Sequence, residues 1–456
     1  MEKFINVIGG GLAGSEAAYQ IAKRGINVKL YEMKPIKFSP AHLAEIVCSN
    51  SFKSNLHTNA CGVLKEELRM LDSLLIKIAD ETAVPAGQAL AVDREKFSAR
   101  VTEELRKNNL IEIKNAEVDE NLLQNMIENN EITIIATGPL TSNKLEQKIS
   151  NITGNEKLYF YDAAAPIVAK ESIDFNIAFY GNRYEQEKRK DESVEQWKDR
   201  LENQEKSYIN LPMNQEEYES FYNELINAEV VELHNFEKRE IFEGCMPIEI
   251  MAKRGIDTLR YGPLKPVGFD DPRYAKRPYA VVQLRQDDSG ANIYNIVGFQ
   301  TNLKFGEQKR VFSLIPGLEN ADFIKYGVMH RNTYINSSEL LDDTYNLKSN
   351  NNIFFAGQIT GVEGYVESIS SGMVAALNAV AKIKGKEKAK FPKETIIGAL
   401  SKYISTPNEK FQPMNANFGI VPELREKIKD KKKRYEKLGD RALENLKICQ
   451  NYVNMI

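Results

Sequence analysis

KFINVIGGGLAGSEAAYQIAKRGINVKLYE, residues 3–32, decides the fold. Phe4, Ile5, Val7 and Ile8 form a short apolar run of the kind needed by a parallel strand buried on both faces. Ala17, Ala18, Ile21 and Ala22 then recur at helical spacing, Gly25 stops the helix, and residues 27–31 predict a second strand. The join, Gly9-Gly10-Gly11-Leu12-Ala13-Gly14, satisfies GxGxxG. A glycine turn alone is a weak signal, but a strand before it and a helix after it give each glycine a mechanical use. Gly9 permits the tight turn, Gly11 lets the backbone approach a pyrophosphate, and Gly14 lets helix and sheet pack closely, with the helix N-terminus facing the negative charge. Glu32 closes the second strand, where it can accept hydrogen bonds from both hydroxyls of an adenosine ribose and would repel a 2′-phosphate.

Two later blocks repeat the theme. EITIIATGP (131–139) is a buried-strand pattern ending in a glycine turn, and NIFFAGQITGVEGYVESISSGMVAALNAVAKIKG, from Asn352, reads as strand, glycine-rich loop and helix. Together the three blocks predict one discontinuous α/β domain, Rossmann-like and of the glutathione-reductase type. A fingerprint at residue 9 and a second glycine-rich block near residue 357 suit a long cofactor, FAD rather than NAD. Its adenosine end falls on the first unit and its flavin end beside Gly357, Gln358, Thr360, Gly361 and Gly364. The helix expected after Ser370 then points its N-terminus at the flavin pyrimidine edge. With no second GxGxxG, NAD(P)H must bind without a Rossmann module of its own.

At 456 residues the chain exceeds the ~250–300 at which a single core stops growing. Between Ala165 and about His330 the texture shifts to alternating strands such as AVVQLRQ (280–286), with many aromatics and turns at Tyr261-Gly262-Pro263 and Lys265-Pro266. The expected layout is an FAD-binding domain over 1–165 and 330–456, ending in C-terminal helices and interrupted by a mixed α/β domain over 166–329 that carries substrate contacts. Within the insertion, residues 182–207 read as a solvated surface helix, and so does the stretch around Lys429, Lys431, Lys432, Lys433 and Arg434. A net charge of −3 gives no overall attraction to nucleic acid or anionic lipid, so any RNA-binding surface must be local. No apolar run reaches the ~18 residues of a membrane span, and the N-terminus shows no signal-peptide architecture. Cys48, Cys61, Cys245 and Cys449 are widely spaced without CxxC, which argues against a disulfide framework, a zinc knuckle or a dithiol redox motif. His42, His57, His234 and His330 show no metal spacing. The expectation is a cytoplasmic protein with reduced thiols, no metal and no membrane partner.

The strings GGGLAGSEAAYQIAKRGINVKLYEMKP, AEIVCSNSFKSN, VLKEELR, FEGCMPIEIMAKRG, GPLKPVG, FAGQITGVEGYVES and FQPMNANFGI follow in order. They resemble the folate- and FAD-dependent tRNA uracil-5-methyltransferases from Ile5 to about Leu424, and VCSNS and FEGCMPIE are strings that a generic flavoprotein does not carry. The resemblance implies formation of 5-methyluridine at uridine 54 of the tRNA T-loop. It implies that the carbon comes from 5,10-methylenetetrahydrofolate and the electrons from NAD(P)H through FAD. Carried over by motif, Cys245 is the expected nucleophile toward uracil C6, and Cys48 is expected beside the flavin. Three departures stand out: PAHLAEIVC is shorter than the family pattern, Phe52-Lys53 replaces a leucine-arginine pair, and a charged segment is inserted over 185–205. The last lies in the part that should meet RNA. Neighbouring readings are the same chemistry on a ribosomal RNA uridine, a wobble-uridine modifier with a partner GTPase, and an FAD-containing protein that binds RNA without modifying it.

The residues make chemical sense of the resemblance. Uracil C5 is a poor nucleophile until a thiolate adds to C6, and free cysteine at pKa ~8.5 is only a few per cent ionised near neutrality. The glycine before Cys245 and the proline after Met246 predict a bend that presents the sulfur. Lys253, Arg254 and Lys265 could supply positive charge there, opposed by Glu243 and Glu249. Cys48 lies in a polar run with Lys53 nearby and is one candidate base for the C5 proton. Cys61 and Cys449 read as structural, and His42 and His330 as minor candidates for substrate contact. Arg254, Lys265, Arg273, Lys276, Arg277 and Arg285, interleaved with Tyr261, Tyr274 and Tyr279, predict a basic aromatic surface for docking RNA.

Overall fold

A computed structural model describes residues 3–34, 42–154, 158–183, 193–203, 207–231, 246–269, 271, 273 and 276–456. Five short strands pair in parallel in the order Ile353–Phe355, Thr133–Ile135, Phe4–Ile8, Asn27–Glu32 and Ile111–Asn115. The first βαβ unit runs through the helix Leu12–Lys23, which Gly25 ends in a left-handed conformation at φ 75°. The three blocks far apart in sequence therefore supply one sheet, as expected of a Rossmann-like domain.

Against Leu12–Lys23 lies the long helix Tyr365–Ile383, whose small residues Gly372, Ala375, Ala376 and Ala379 are all buried. It begins at Tyr365 and not after Ser370, because Gly364 at φ 121° serves as its N-cap and turns the chain into the helix five residues early. Ser370 sits in the second turn with its side chain buried. Around this framework pack the helices Ala60–Met70, Leu74–Glu81, Arg94–Lys107, Ile396–Ser405 and Lys431–Met455, forming one continuous apolar core from Ile5 to Ile456. A three-stranded sheet, Ser51–Ser54, Ala89–Val92 and Ala83–Val84, lies at its edge.

The middle of the chain builds a second core, on a six-stranded antiparallel sheet. Its order is Phe179–Tyr180, Tyr208–Met213, Ala280–Gln286, Ile293–Ile296, Ile167–Ala169, Phe323–Lys325. Alternation in AVVQLRQ suggests a half-exposed strand, yet every position of Ala280–Gln286 is buried. Its polar residues have partners instead: Gln283 bonds Asn210 at 2.9 Å, and Arg285 reaches Asn50 in the other half of the molecule at 3.0 Å. A two-stranded antiparallel ribbon, Leu158–Ala163 with Met329–Tyr334, carries the chain between the halves in both directions. The charged segment holds a helix over Val194–Asn203, while 184–192 and 204–206 lie outside the described residues. Among the described residues, no helix is long and apolar enough to cross a membrane.

Candidate active site

The glycine turn is shaped by contacts that no other residue tolerates. A Cβ on Gly9, at φ 102°, would lie 2.4 Å from the carbonyl oxygen of Ala136, and one on Gly14 would lie 1.8 Å from the carbonyl oxygen of Gly9. Gly11 differs: nothing stands within 4 Å of where its Cβ would be. The space beside it opens onto the first turn of Leu12–Lys23, whose N–H groups have no intrahelical acceptor. Glu32 is tied to the turn, accepting from Gly10 N–H at 2.7 Å and Lys34 N–H at 3.0 Å. Each of its carboxylate oxygens keeps a further lone pair for a ribose hydroxyl.

The late glycine loop is brought against this turn, since Gly357 leaves only 3.0 Å between Ala13 Cβ and a Cβ of its own. Gly357 N–H donates to Ser371 Oγ, the buried Thr360 hydroxyl donates to Gly357 O, and Gln358 Nε2 donates to Glu363 Oε2. Gly361, at φ 79°, lies against the Phe411 ring. Gln358 and Thr360 thus use their side chains to hold the loop. Beyond Gly364, Glu367 Oε2 and Ser370 Oγ are buried without a hydrogen-bond partner among the described residues, which is what a polar ligand edge would relieve. An open glycine turn, a tethered acidic residue and these orphaned polar atoms fit a flavin dinucleotide.

Cys48 stands where the two halves meet. Its backbone N–H and that of Ser49 both donate to the Tyr365 hydroxyl, at 3.0 and 3.1 Å, so the backbone at Cys48 is pinned to the first residue of the long helix. Its Sγ donates to Ala163 O at 3.4 Å, at the end of the interdomain ribbon. Arg285 Nη2 donates to Ser49 Oγ, and Arg94 grips Asp287 with two bonds at 2.6 and 2.9 Å. Burial would lower the pKa of Arg94, but Asp287 overrides it and holds the guanidinium above its ordinary value, with Tyr365 and Cys48 adding to the effect. Lys325 also feels the thiol: burial and Arg94 push its amine down, while Asp287, Cys48 and Glu45 oppose them. Lys53 pairs with Glu367 at 3.4 Å. The Tyr365, Arg94 and Lys325 contacts carry no local sequence signal, although Tyr365 falls inside the string VEGYVES.

Cys245 lies outside the described residues, as do Glu243, His234 and Tyr274. The residues after Cys245 are well placed. Pro247 caps the helix Ile248–Ala252, Ile248 N–H donates to Gln300 O at 2.7 Å, and Thr301 N–H donates to Ala164 O at 3.4 Å. The tail of FEGCMPIE thus docks on a turn that rests on Ala164, next to the carbonyl that takes the Cys48 S–H. Glu249 is buried and accepts from Thr301 Oγ1 and Asn302 N–H, both at 2.9 Å.

The family model for glucose inhibited division protein A (GidA) matches residues 4–387. Three relatives named methylenetetrahydrofolate--tRNA-(uracil-5-)-methyltransferase TrmFO align along nearly their whole length. That of Acetivibrio thermocellus is 58% identical over 459 residues, covering 100% of this chain and 99% of that protein. Those of Fusobacterium nucleatum, at 57% over 451 residues (98% and 99% covered), and Enterococcus faecalis, at 55% over 449 (97% and 98%), match similarly. The chain belongs to the GidA family, in its TrmFO group. Among solved structures, Aquifex aeolicus GidA superposes with a TM-score of 0.70 at 16% identity, over 100% of this chain and 74% of that one, a likeness of fold.

In this TrmFO-group protein the expected basic surface divides. Arg285 is fully buried on Ser49 and Asn50, and burial lowers its pKa. Arg273 is spent on Glu217 and Asp271, at 2.7 and 2.8 Å. Both are engaged by partners within the chain, Arg285 by Ser49 and Asn50 from the other half and Arg273 by Glu217 and its near neighbour Asp271. What remains is a groove of about 550 Å³ lined by Arg260, Tyr261, Lys265, Lys276, Arg277 and Tyr279, among others. Tyr261 is 83% exposed, and the Arg260 guanidinium lies 3.5 Å from the Tyr279 ring centroid. Cys61 is buried with its thiol pushed up to about 11 by desolvation, and burial also raises Cys449, in keeping with structural roles. His57 pairs with Asp440 at 2.8 Å, and among the described residues no group of His, Cys, Asp and Glu is arranged to hold a metal.

Proposed function

We propose that the chain methylates C5 of uridine 54 in the tRNA T-loop, taking the carbon from 5,10-methylenetetrahydrofolate and two electrons from NAD(P)H. FAD, held between the two glycine loops, supplies the one-carbon and electron transfer when bound. The observation that carries this reading is convergence: the Cys48 loop and the tail of the Cys245 motif meet on the neighbouring residues Ala163 and Ala164.

The roles of the chain's own residues follow. The Cys245 thiolate adds to uracil C6; its sulfur forms the new bond while the C5=C6 electron pair moves onto the O4 side of the ring. C5 then attacks the one-carbon unit, whose bond to its carrier breaks, and C5 loses its proton. The two electrons that originate from NAD(P)H, with a proton, reduce the resulting methylene to a methyl, and the S–C6 bond breaks to return the thiolate and restore the C5=C6 double bond. Cys48, beside the start of Tyr365–Ile383 and following the Ile46 and Val47 carbonyls that Arg94 binds, acts on the flavin side of the one-carbon transfer. Residues 166–329 form the RNA-facing domain, with the groove around Tyr261 taking phosphates on its cations and a base on its ring.

Carbon-labelled methylenetetrahydrofolate, NADPH and a tRNA transcript should yield labelled 5-methyluridine at position 54, and Cys245→Ala and Cys48→Ala should each reduce the yield at least a hundredfold. Label arriving from S-adenosylmethionine, label entering a ribosomal RNA fragment instead, or full activity in Cys245→Ala would overturn the proposal.

A further inference from the structure

Two lysine-rich runs among the described residues behave in opposite ways. The first follows the long helix Tyr365–Ile383, and its cations are consumed inside the molecule. Lys384 and Lys386 donate to the carbonyls of Ile456 and Met455, while Lys388 and Lys390 pair with Asp342 and Asp343. The second run leads into the helix Lys431–Met455. There Lys427, Lys429, Lys431, Lys432, Lys433 and Arg434 are all exposed, and among the described residues none of the six stands in a salt bridge. Lys437, a little further on, does pair, with Glu426 at 3.1 Å. Between Glu423 and Lys437 eight cations stand against four carboxylates, on a chain whose net charge is −3. This is the local excess that a polyanion-binding surface needs on a molecule with no overall attraction to one.

The patch has a fixed place beside the candidate active site. Asp440 pairs with His57 at 2.8 Å, and a Cβ on Gly439 would lie 2.8 Å from the His57 ring, so the helix is seated on the segment that follows Ser51–Ser54. Tyr435 packs on Phe418 with ring centroids 4.9 Å apart, and Lys431 and Arg434 each lie 5.5 Å from the centre of the Tyr435 ring. Two residues before Phe418, Ala416 N–H donates to Glu367 Oε1 at 2.9 Å, and Lys53, from Ser51–Ser54, ends on the same oxygen. Both threads lead from the patch to Glu367, whose other oxygen is one of the orphaned atoms at the cofactor edge.

We propose that Lys427, Lys429 and the cluster Lys431, Lys432, Lys433 and Arg434 form an anchoring surface for the phosphate backbone of the tRNA, carried by the FAD-binding half and separate in the chain from the groove around Tyr261. This rests on tRNA being the substrate and adds the surface of the other half that holds it. Cations already paired, like those of the first run, must give up a partner before they meet a phosphate; these six need break no ion pair. Phosphate contacts fix the register of a nucleic acid without reading its sequence, which suits a lysine cluster standing beside the site rather than in it.

The test uses the full-length, FAD-loaded protein and a tRNA transcript, with dissociation constants measured by filter binding across a series of salt concentrations. KM for tRNA, kcat, FAD content and NADPH oxidation without tRNA are measured alongside. Each phosphate contact adds about 0.7–0.9 to the slope of log affinity against log salt, so Lys431→Gln/Lys432→Gln/Lys433→Gln should make that slope shallower by about 2–3. The same variant should weaken tRNA binding and raise KM for tRNA at least tenfold, with kcat, FAD content and NADPH oxidation near wild type. Lys77→Gln/Lys107→Gln/Lys393→Gln removes equal charge from exposed positions elsewhere and should change none of these. Wild-type affinity and slope in the first variant, an equal loss in the second, or a loss of FAD in step with tRNA overturns the anchor. If the first variant is insoluble, Lys432→Gln decides alone, by a slope that is shallower by about 1 or unchanged. Wild-type protein that binds no tRNA removes the tRNA reading itself, whereas wild-type protein and cluster variant binding alike removes only the anchor.

Discussion

Gly372 carries no side chain because Ala13 occupies the place where one would go: a Cβ there would lie 2.2 Å from the carbonyl oxygen of Ala13. The clash is with backbone of the turn that cradles the dinucleotide, so the two helices must part to admit a methyl group. Gly372→Ala should therefore cost about 1–3 kcal/mol in urea unfolding and lower the ratio of flavin to protein absorbance in purified enzyme; an unchanged ratio and midpoint would show that the helices have slack. Constraints of this kind are partly legible from sequence. Gly9 to Gly14 could be read because turn, ligand approach and packing act within six consecutive positions. The burial of Arg285 on Ser49 and Asn50 could not, nor could the pairing of Arg273 with Glu217, since no local pattern connects these residues.

The helix Ile396–Ser405 shows how one element completes another. Thr395 caps it from within the chain, accepting from Gly398 N–H, but the N–H groups of Ile396 and Ile397 are taken by Glu67 from Ala60–Met70, at 2.7 and 2.8 Å. Glu67 is fully buried, and desolvation outweighs those two bonds and pushes its pKa up to about 8. An unfolded glutamate titrates near 4.3, so between about pH 4.3 and 8 the folded group holds a proton that the unfolded one has lost. Its contribution is thus complete below the lower value and disappears as pH rises through the upper one. Glu67→Gln has no such proton, so the melting temperature of wild type minus that of the variant should shrink steadily from pH 5 to pH 8. A constant difference over that range would mean the carboxylate is ionised throughout. The helix Leu12–Lys23 was legible from apolar spacing, and the boundaries of Asn27–Glu32 and Ile353–Phe355 were legible to within a residue. The start of Tyr365–Ile383 was not, because a positive-φ glycine set it where the small-residue pattern had not yet begun.

At the scale of the molecule, the two halves are locked through Arg94 and Asp287, whose side chains are only 15% and 2% exposed. Asp93 reinforces the lock by accepting from Ser289 N–H at 2.9 Å. Removing one partner strands a buried charge, so Arg94→Ala should cost about 3–5 kcal/mol in chemical denaturation, with Arg94→Ala/Asp287→Ala costing less than the sum of the single changes. Strict additivity would show that the pair does not couple the halves. The middle of the chain has an apolar core of its own, but the pairing of Leu158–Ala163 with Met329–Tyr334, and the burial of a whole strand at Ala280–Gln286, arise only once distant segments meet.

The parallel sheet is finished by a latecomer: Ile353 pairs with Thr133, and between them the chain passes through the ribbon and the other core. During synthesis, Thr133–Ile135 must therefore present a bare strand edge until residues 353–355 leave the ribosome, long after its other neighbours have emerged. A nascent chain of this kind is at its most adhesive just when the middle unit is being made, and the ribosome's own chaperones are the natural custodians of that edge.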